Sequence, residues 1–294
     1  MRVLAIAALS LSSEAASNYR PVVMMHGLNA KAADLDTRVQ EVKAQYPGIY
    51  VVSLATYEGS SSMLTDIRTQ LTAMTKAIQN DSNLANGFNF YGESQGALLA
   101  RAYVTMFNDP PVHNLVAQNG PQNGVGECPT IEVPVIKQLC GDLGTDLQIY
   151  HWPFCSFCGY WRGKNKDTYL HNSQFIADVN NDRAVNETRR QNMISLNKYM
   201  ATVALRDEIV QPKESAWHTY WRWGDESRSS VMRLNETDGY KNDVLGLQTL
   251  DRRGDLILNS FDGTHNSPSD DWWRQNVLPM FNNRLSSEGQ AFVV

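Results

Sequence analysis

A serine lies between two glycines in the pentapeptide at 92–96, which is Gly-Glu-Ser-Gln-Gly and has the Gly-x-Ser-x-Gly spacing of a nucleophile elbow. The residues before it, 87–91, favour a strand, and the apolar residues after it favour a helix. In that setting the serine stands on a sharp turn, and small neighbours let the backbones approach each other. A chance match in a loop would lack these flanks. Ser94 is therefore predicted to be a nucleophile.

A serine nucleophile of this type needs an acid and a histidine base that follow it along the chain in that order. An apolar, strand-like run at 255–261 is followed by a short loop that ends in His265. A second run at 199–205 is followed by Asp207, with Glu208 as the neighbouring alternative. We take Asp207 as the acid. Together with the serine, these two residues complete a predicted catalytic triad.

The first apolar run, residues 21–25, leads into a loop that begins with His26. Acyl transfer needs backbone N–H groups aimed at the developing oxyanion, and they come from the residue after the nucleophile and from an early loop of the sheet. The predicted donors are the N–H groups of Gln95 and Leu28. We interpret His26 as a structural partner of the loop, because one histidine already completes the relay.

Strand-like runs alternate with helical stretches up to about residue 119 and again from about residue 196, which predicts a mostly parallel sheet covered by helices. Residues 63–80 are predicted to form one such helix. Its apolar stripe consists of Met63, Ile67, Leu71, Met74 and Ile78. Between the two halves, residues from about 121 to 199 are rich in proline, cysteine and aromatic residues. We interpret this insertion as a cap over the site.

The first 17 residues have the layout of a secretory signal peptide, with one arginine, a short apolar stretch and small residues at its end. Residues 18–294 then form a single predicted domain, without a further stretch of transmembrane length. The net charge of −5 does not indicate a protein that binds nucleic acid. In a secreted chain, three sequons are candidate glycosylation sites: Asn80, Asn186 and Asn235.

Four cysteines lie close together, at 128, 140, 155 and 158, and can pair in three ways. Pairing Cys128 with Cys140 and Cys155 with Cys158 keeps both loops local. A zinc site is disfavoured, because the lone Cys-x-x-Cys lacks a second close pair. A redox motif is disfavoured too, because this Cys-x-x-Cys is not placed between a strand and a helix.

Several segments resemble the palmitoyl-protein thioesterases of the lysosomal type, which belong to the α/β-hydrolase superfamily. These segments are 22–28, 46–54, 87–96, 167–183, 207–217 and 245–250. The segment 167–183 is the most diagnostic, because it has no role in general hydrolase motifs. The resemblance implies an α/β-hydrolase fold and places the family's triad and oxyanion donors on the residues already chosen. It also implies the disulfide between Cys128 and Cys140.

The chain departs from the family pattern at three places. Ala97 stands where the family often has a second glycine, and Leu28 where it often has methionine. Neither change affects the chemistry, since an oxyanion donor acts through its backbone and a helix start tolerates alanine. Residues 159–164, Gly-Tyr-Trp-Arg-Gly-Lys, replace the family's Tyr-Trp-His-Asp-Pro segment. The shape of the cap and the preferred acyl chain therefore stay open.

The expected function is a serine hydrolase that removes long-chain acyl groups from the cysteines of S-acylated proteins or peptides. It needs no cofactor and no metal, and its destination is the lysosome or the exterior. Two alternatives stay open. A lipase or carboxylesterase acting on oxygen esters would share every residue of the triad, and a protein of the same fold could bind lipid without catalysis.

Overall fold

The computed structural model describes residues 19–128, 146–152 and 154–284 of the chain. The predicted signal peptide and Cys140 lie outside the described residues. In the described part, six strands form one parallel sheet in the order β2-β1-β3-β4-β5-β6. The strands are β1 (Val22–Met25), β2 (Val51–Ser53), β3 (Phe88–Glu93), β4 (Val112–Gln118), β5 (Lys198–Ala204) and β6 (Leu256–Phe261). This arrangement confirms the predicted α/β class and parallel sheet.

Helices cover both faces of the sheet. They are α1 (Asp36–Gln45), α2 (Ser60–Leu64), α3 (Ile67–Gln79), α4 (Gln95–Met106), α5 (Asp146–Tyr150), α6 (Lys166–Asn172), α7 (Ile176–Val179), α8 (Glu187–Ile194), α9 (Asp238–Lys241), α10 (Leu247–Arg252) and α11 (Asp270–Asn276). Short 3₁₀ turns lie at Ala32–Leu35, Ser82–Leu84, Phe157–Tyr160, Lys213–Trp217, Leu234–Glu236 and Leu278–Phe281.

The two apolar cores follow from the alternation of side chains along the strands. In β1, Val22 and Met24 belong to the core that α1 and α11 cover. Val23 and Met25 point to the other face, into the core that α3 and α4 cover. A sheet that is buried on both faces requires continuous apolar strands, and Val22–Met25 is such a strand.

The strand register brings the carboxyl ends of the strands to one edge of the sheet. Met25 of β1 pairs with Gly92 of β3, and Gly92 pairs with Ala117 of β4. Ala117 in turn pairs with Ala201 of β5. Loops that leave these strands therefore lie side by side, which is where ligands bind in open parallel sheets.

The helix predicted at 63–80 is two helices. Asp66 separates α2 from α3, because its side chain accepts hydrogen bonds from the backbone N–H groups of Arg68 at 2.9 Å and Thr69 at 3.1 Å. Such an N-cap satisfies donors that a helix start otherwise leaves unpaired, so a new helix begins there. The apolar stripe itself is buried as predicted. The periodicity of the sequence therefore predicted the buried face correctly, but it did not predict the break between α2 and α3.

The described part of the predicted cap packs against the core. Gly159 lies so close to α3 that a Cβ there would be 2.5 Å from Ile67 Cγ2. Four of the six cap aromatics noted in the sequence are buried: Tyr150, Phe157, Tyr160 and Trp161. Trp152 and Phe154 are 42% and 67% exposed. Most of these aromatic side chains therefore pack in the protein interior.

Gly92→Ala tests the close approach of β3 and α4. A Cβ on Gly92 would lie 2.5 Å from Gly96 O and 2.7 Å from Ala97 Cα, both of which are backbone atoms that cannot rotate away. We expect a loss of about 3 kcal/mol in the free energy of unfolding, at the upper end of the usual cost of overpacking. Urea unfolding measures it. Gly239→Ala is the control, since its new Cβ would lie 3.7 Å from Val244, and an equal loss there would contradict the explanation.

Candidate active site

Ser94 follows β3 directly and precedes the first residue of α4. Its backbone has φ 52° and ψ −123°, a left-handed conformation that is costly for a residue with a side chain. The surrounding structure holds it there: Ser94 N–H donates to Gln118 O at 2.8 Å, which continues the pairing of β3 with β4. The predicted strand–turn–helix context of the serine is therefore present.

Three predicted site residues form one hydrogen-bonded chain. His265 Nε2 lies 2.8 Å from Ser94 Oγ, and His265 Nδ1 lies 2.7 Å from Asp207 Oδ2. Because an ionised carboxylate only accepts, Nδ1 carries the proton of the neutral imidazole. Nε2 is then free to accept the proton of the serine hydroxyl.

Asp207, which the sequence favoured over Glu208, provides the carboxylate. Its side chain is 2% exposed. The second oxygen, Oδ1, accepts from the N–H groups of Ile209 at 2.8 Å and Val210 at 3.1 Å. These bonds fix the carboxylate in the loop after β5. A buried carboxylate whose two oxygens are both occupied has one orientation, and that orientation faces His265.

The loops that carry the acid and the base are joined by their backbones. Arg206 N–H donates to Gly263 O at 3.0 Å, one residue before Asp207 and two residues before His265. On the other side, Asn266 Oδ1 accepts from the side-chain amide of Asn119 at 3.4 Å. The loops after β4, β5 and β6 thus hold each other in place.

The two predicted oxyanion donors belong to segments that adjoin Ser94. A Cβ on Gly27 would lie 3.1 Å from Ser94 Cβ, so the loop that contains Leu28 passes directly beside the nucleophile. Gln95 is the first residue of α4, and its N–H has no carbonyl four residues earlier in the helix to donate to. The loop that carries the first predicted donor therefore lies beside Ser94, and the second predicted donor is the backbone N–H of the residue that follows Ser94.

The other described histidines have different surroundings. His26 is buried, and its Nδ1 lies 2.9 Å from Gly27 O, as expected for a structural partner of the loop. His218 is buried against Tyr199, whose hydroxyl lies 2.7 Å from His218 Nε2, and burial lowers the pKa of His218 well below its usual value. His265 is the histidine that contacts the serine.

The polar groups around the Gln95 side chain were not predicted from the sequence. Its Oε1 accepts from the hydroxyls of Ser156 and Tyr160, and its Nε2 donates to Gln70 Oε1 at 3.1 Å. Ser156 lies between Cys155 and Cys158, which form the predicted disulfide. No local pattern marks residues that are scattered along the chain in this way. Only the elbow motif marked Gln95, and only for its backbone.

Cys128 is disulfide-bonded, but its predicted partner lies outside the described residues. All three sequon asparagines, Asn80, Asn186 and Asn235, are exposed. Within the described ranges, no group of three or more His, Cys, Asp or Glu side chains could hold a metal ion. None of the described helices is both long and apolar enough to cross a membrane.

A cavity of about 490 Å³ lies away from the triad. Its lining includes the charged side chains of Arg162, Lys166 and Asp182, together with several amides. Arg162 is buried there, with its guanidinium 4.8 Å from the ring centres of both Tyr169 and Trp223. Burying a hydrocarbon chain against these polar groups would leave them without partners, so this cavity does not fit the apolar groove expected from the sequence.

The family model described as palmitoyl protein thioesterase matches residues 21–265, a span that includes every residue of the hydrogen-bonded chain described above. The chain belongs to the palmitoyl protein thioesterase family. Palmitoyl-protein thioesterase 3 of Dictyostelium discoideum is 33% identical over 289 residues, covering 96% of this chain and 97% of the relative. Palmitoyl-protein thioesterase 1 of Caenorhabditis elegans is 32% identical over 262 residues, covering 83% and 86%.

A more distant relative is lysosomal thioesterase PPT2-B of Xenopus laevis, 24% identical over 261 residues, covering 84% of this chain and 86% of the relative. The family predicted from the sequence is thereby confirmed, and with it the α/β-hydrolase fold and a thioester hydrolase activity. In this member of the family, Ser94 lies at the sheet edge where ligands bind in open parallel sheets.

Glu93→Gln tests how burial acts on the carboxyl that precedes the nucleophile. Burial raises the pKa of Glu93, although Tyr91 donates a hydrogen bond to it at 2.6 Å, which opposes the shift. A carboxyl with a raised folded pKa stabilises the protein fully below its unfolded pKa of about 4.3, and that contribution is lost as the pH rises through the folded value.

We therefore expect Glu93→Gln to be more stable than wild type at pH 7, with the difference vanishing near pH 4, because glutamine keeps the acceptor for Tyr91 without a charge. Thermal unfolding of both proteins at the two pH values measures this. A difference that does not change with pH would show that burial of the charge is not its cause.

Proposed function

We propose that this protein removes long-chain fatty acyl groups, palmitoyl among them, from cysteine side chains of S-acylated proteins or peptides. The observation that carries the proposal is the hydrogen-bonded chain from Ser94 through His265 to Asp207, in a member of a thioesterase family. Relatives at 33% and 32% identity are named palmitoyl-protein thioesterases. Ser94, His265 and Asp207 act as nucleophile, general base and orienting acid.

The first half of the reaction forms an acyl-enzyme. Ser94 Oγ attacks the thioester carbonyl carbon while His265 Nε2 takes the hydroxyl proton, and Asp207 stabilises the resulting imidazolium. The carbonyl oxygen becomes an oxyanion that accepts from the N–H groups of Leu28 and Gln95, each contributing about 3 kcal/mol to transition-state stabilisation. The carbon–sulfur bond then breaks, and the cysteine leaves as a thiolate.

The leaving group and the second half follow from the same geometry. A thiolate with an ordinary cysteine pKa of about 8.5 is a weak base, so it needs little help from a general acid. His265 passes its proton to the departing sulfur or to solvent and then takes a proton from water. That water attacks the acyl-enzyme carbonyl and forms a second tetrahedral intermediate. When this intermediate breaks down, the fatty acid is released and Ser94 is restored.

Substrate affinity would come mainly from the acyl chain, because burial of each CH₂ is worth about 0.8 kcal/mol. We propose that the acyl chain lies in an apolar groove between the sheet edge and the cap at about 121–199. Sheet and cap belong to a single proposed domain, residues 18–294. The contact of Gly159 with Ile67 supports a cap that is seated on the core, and the hydrogen bonds of Ser156 and Tyr160 to Gln95 support its position next to the elbow.

We also propose that the protein enters the secretory pathway through the signal peptide at 1–17 and reaches the lysosome, with secretion as the other outcome. A relative named lysosomal thioesterase supports this destination. The Cys155–Cys158 disulfide fits an oxidising compartment. The exposed asparagines of the three sequons are open to glycosylation.

A matched pair of substrates tests the activity: palmitoyl-cysteine peptide and the same peptide with palmitoyl-serine. We expect faster hydrolysis of the thioester, and a loss of about 10⁶-fold in kcat for Ser94→Ala. Equal or faster turnover of the oxygen ester would assign the protein to lipases or carboxylesterases. A wild type that neither turns over the thioester nor reacts with a fluorophosphonate would assign it to lipid binding without catalysis.

Asp207→Asn tests the role of the acid. An amide can donate to Nδ1 and favour the wrong imidazole tautomer, so we expect kcat to fall by about 10⁴-fold while the fold is kept. Glu208→Gln is the matched control, because Glu208 is the exposed neighbouring carboxylate. Steady-state kinetics on the thioester measure both. A larger loss in Glu208→Gln than in Asp207→Asn would move the role of the acid to Glu208.

A further inference from the structure

The side chain of Gln95 is a fully used hydrogen-bonding centre beside the nucleophile. It is buried, and its Nε2 donates to Ser62 O at 3.3 Å and to Gln70 Oε1 at 3.1 Å. Its Oε1 accepts from Tyr160 OH at 3.1 Å and from Ser156 Oγ. A primary amide has two donors and two acceptor positions. All four are therefore occupied, two by the α2–α3 region and two by the described cap.

Ser62 connects this centre to the other side of the site. Its hydroxyl accepts from the N–H of Asn29 at 2.7 Å and donates to Gly59 O at 2.7 Å. Asn29 has a left-handed φ of 60° and directly follows Leu28. One residue of α2 thus contacts both the loop after β1, through its hydroxyl, and the Gln95 side chain, through its carbonyl.

A second link strengthens the arrangement. Gln70 Nε2 donates to Ser62 O at 2.8 Å and to Thr65 O at 2.7 Å, which ties the end of α2 to α3. Ser62 and Gln70 are each 1% exposed. In such surroundings a lost partner leaves a buried polar group unpaired, so these groups keep their positions.

We infer that Ser62 and the side chain of Gln95 are positioning residues that set the separation between the two oxyanion donors, the N–H groups of Leu28 and Gln95. The inference rests on the proposed function. Ser62 holds the loop after β1 through Asn29, and Gln95 is held in turn by Ser62, Gln70 and the cap hydroxyls. Neither side chain touches the substrate.

The physical reason is the geometry that an oxyanion requires. Both donors must lie within about 3 Å of the carbonyl oxygen, at the position where it develops negative charge in the transition state. They belong to segments far apart in the sequence, and one is next to the strained backbone of Ser94. Without a connection between them, each segment would relax independently. Misplacement of about 1 Å costs roughly 10²-fold in rate.

The cap takes part in the same network. Ser156 belongs to the four-residue loop that the Cys155–Cys158 disulfide closes, and Tyr160 lies two residues beyond it. A cap that is seated on the core therefore completes the hydrogen bonds of Gln95. A cap that moves away would leave Oε1 without its two donors.

Gln95→Met and Ser62→Ala test the inference. Methionine keeps the length of the side chain but makes none of the four hydrogen bonds, and alanine removes the acceptor of Asn29 N–H. We expect each variant to lose about 10-fold to 100-fold in kcat with KM nearly unchanged, because only the transition state uses both donors. Tyr160→Phe removes one of the two donors to Gln95 Oε1, so its kcat should fall less than that of Gln95→Met. The control is Tyr103→Phe, another buried tyrosine, whose hydroxyl donates to Pro110 O at 2.8 Å at the far end of α4.

A second measurement separates positioning from damage to the fold. Palmityl trifluoromethyl ketone adds to Ser94 Oγ and places an oxyanion between the two donors, whereas palmitate tests only the acyl groove. The inhibition or dissociation constant of the ketone should rise in the variants by the same factor as kcat/KM falls, while that of palmitate should stay constant. Unchanged kcat/KM in both variants, or parallel weakening of the ketone and palmitate, would overturn the inference.

The outcomes for the two proposals differ. A wild type that binds the ketone but does not turn over the palmitoyl thioester would overturn the proposed function. The ratios of ketone binding between wild type and variants would then still decide the positioning role. If the wild type does turn over the thioester and the ketone ratios are unchanged in the variants, the proposed function stands and the positioning role falls.

Discussion

The close approach of three backbone segments at the edge of the sheet is the constraint on which the site depends. The end of β1, the end of β3 and the start of α4 are so close that Gly92 and Gly96 have no room for a Cβ. In Gly96 the obstacle is the carbonyl groups of Met25 and His26. This contact forces the sharp turn at Ser94 and brings the loop after β1 beside it. Strain at one residue is tolerated because the packing of both cores overdetermines its position.

The parallel arrangement of the strands then places the acid and the histidine near the serine. Because the carboxyl ends of β5 and β6 lie at the same edge, Asp207 and His265 need only short loops to reach the serine. A backbone hydrogen bond between Arg206 and Gly263 sets the distance between those loops. The hydrogen bonds of His265 to both partners are of ordinary length, so the chain from Ser94 through His265 to Asp207 forms without visible distortion.

Two kinds of buried polar groups can be compared in this protein. Those near Gln95 are amides and hydroxyls whose partners come from several segments, and they link the core to the described part of the predicted cap. Those around Arg162 are charged and aromatic, and they stabilise a region away from the triad. All four hydrogen-bonding positions of the Gln95 amide are paired, which avoids the free-energy cost of a buried donor without an acceptor. The difference is that the first kind lies next to the nucleophile.

The sequence by itself determined the parallel sheet, the turn at Ser94 and the order of serine, acid and histidine, because these depend on local periodicity and on motifs of adjacent residues. It located the apolar stripe that α2 and α3 share but not the break at Asp66, where a cap hydrogen bond competes with helix continuation. Tertiary structure alone decided that Asp207 faces His265, that most cap aromatics are buried, and that Ser62, Gln70, Ser156 and Tyr160 surround Gln95. Those contacts join residues between 25 and 65 positions from Gln95, and hydrogen bonds over such separations depend on packing that no local pattern encodes.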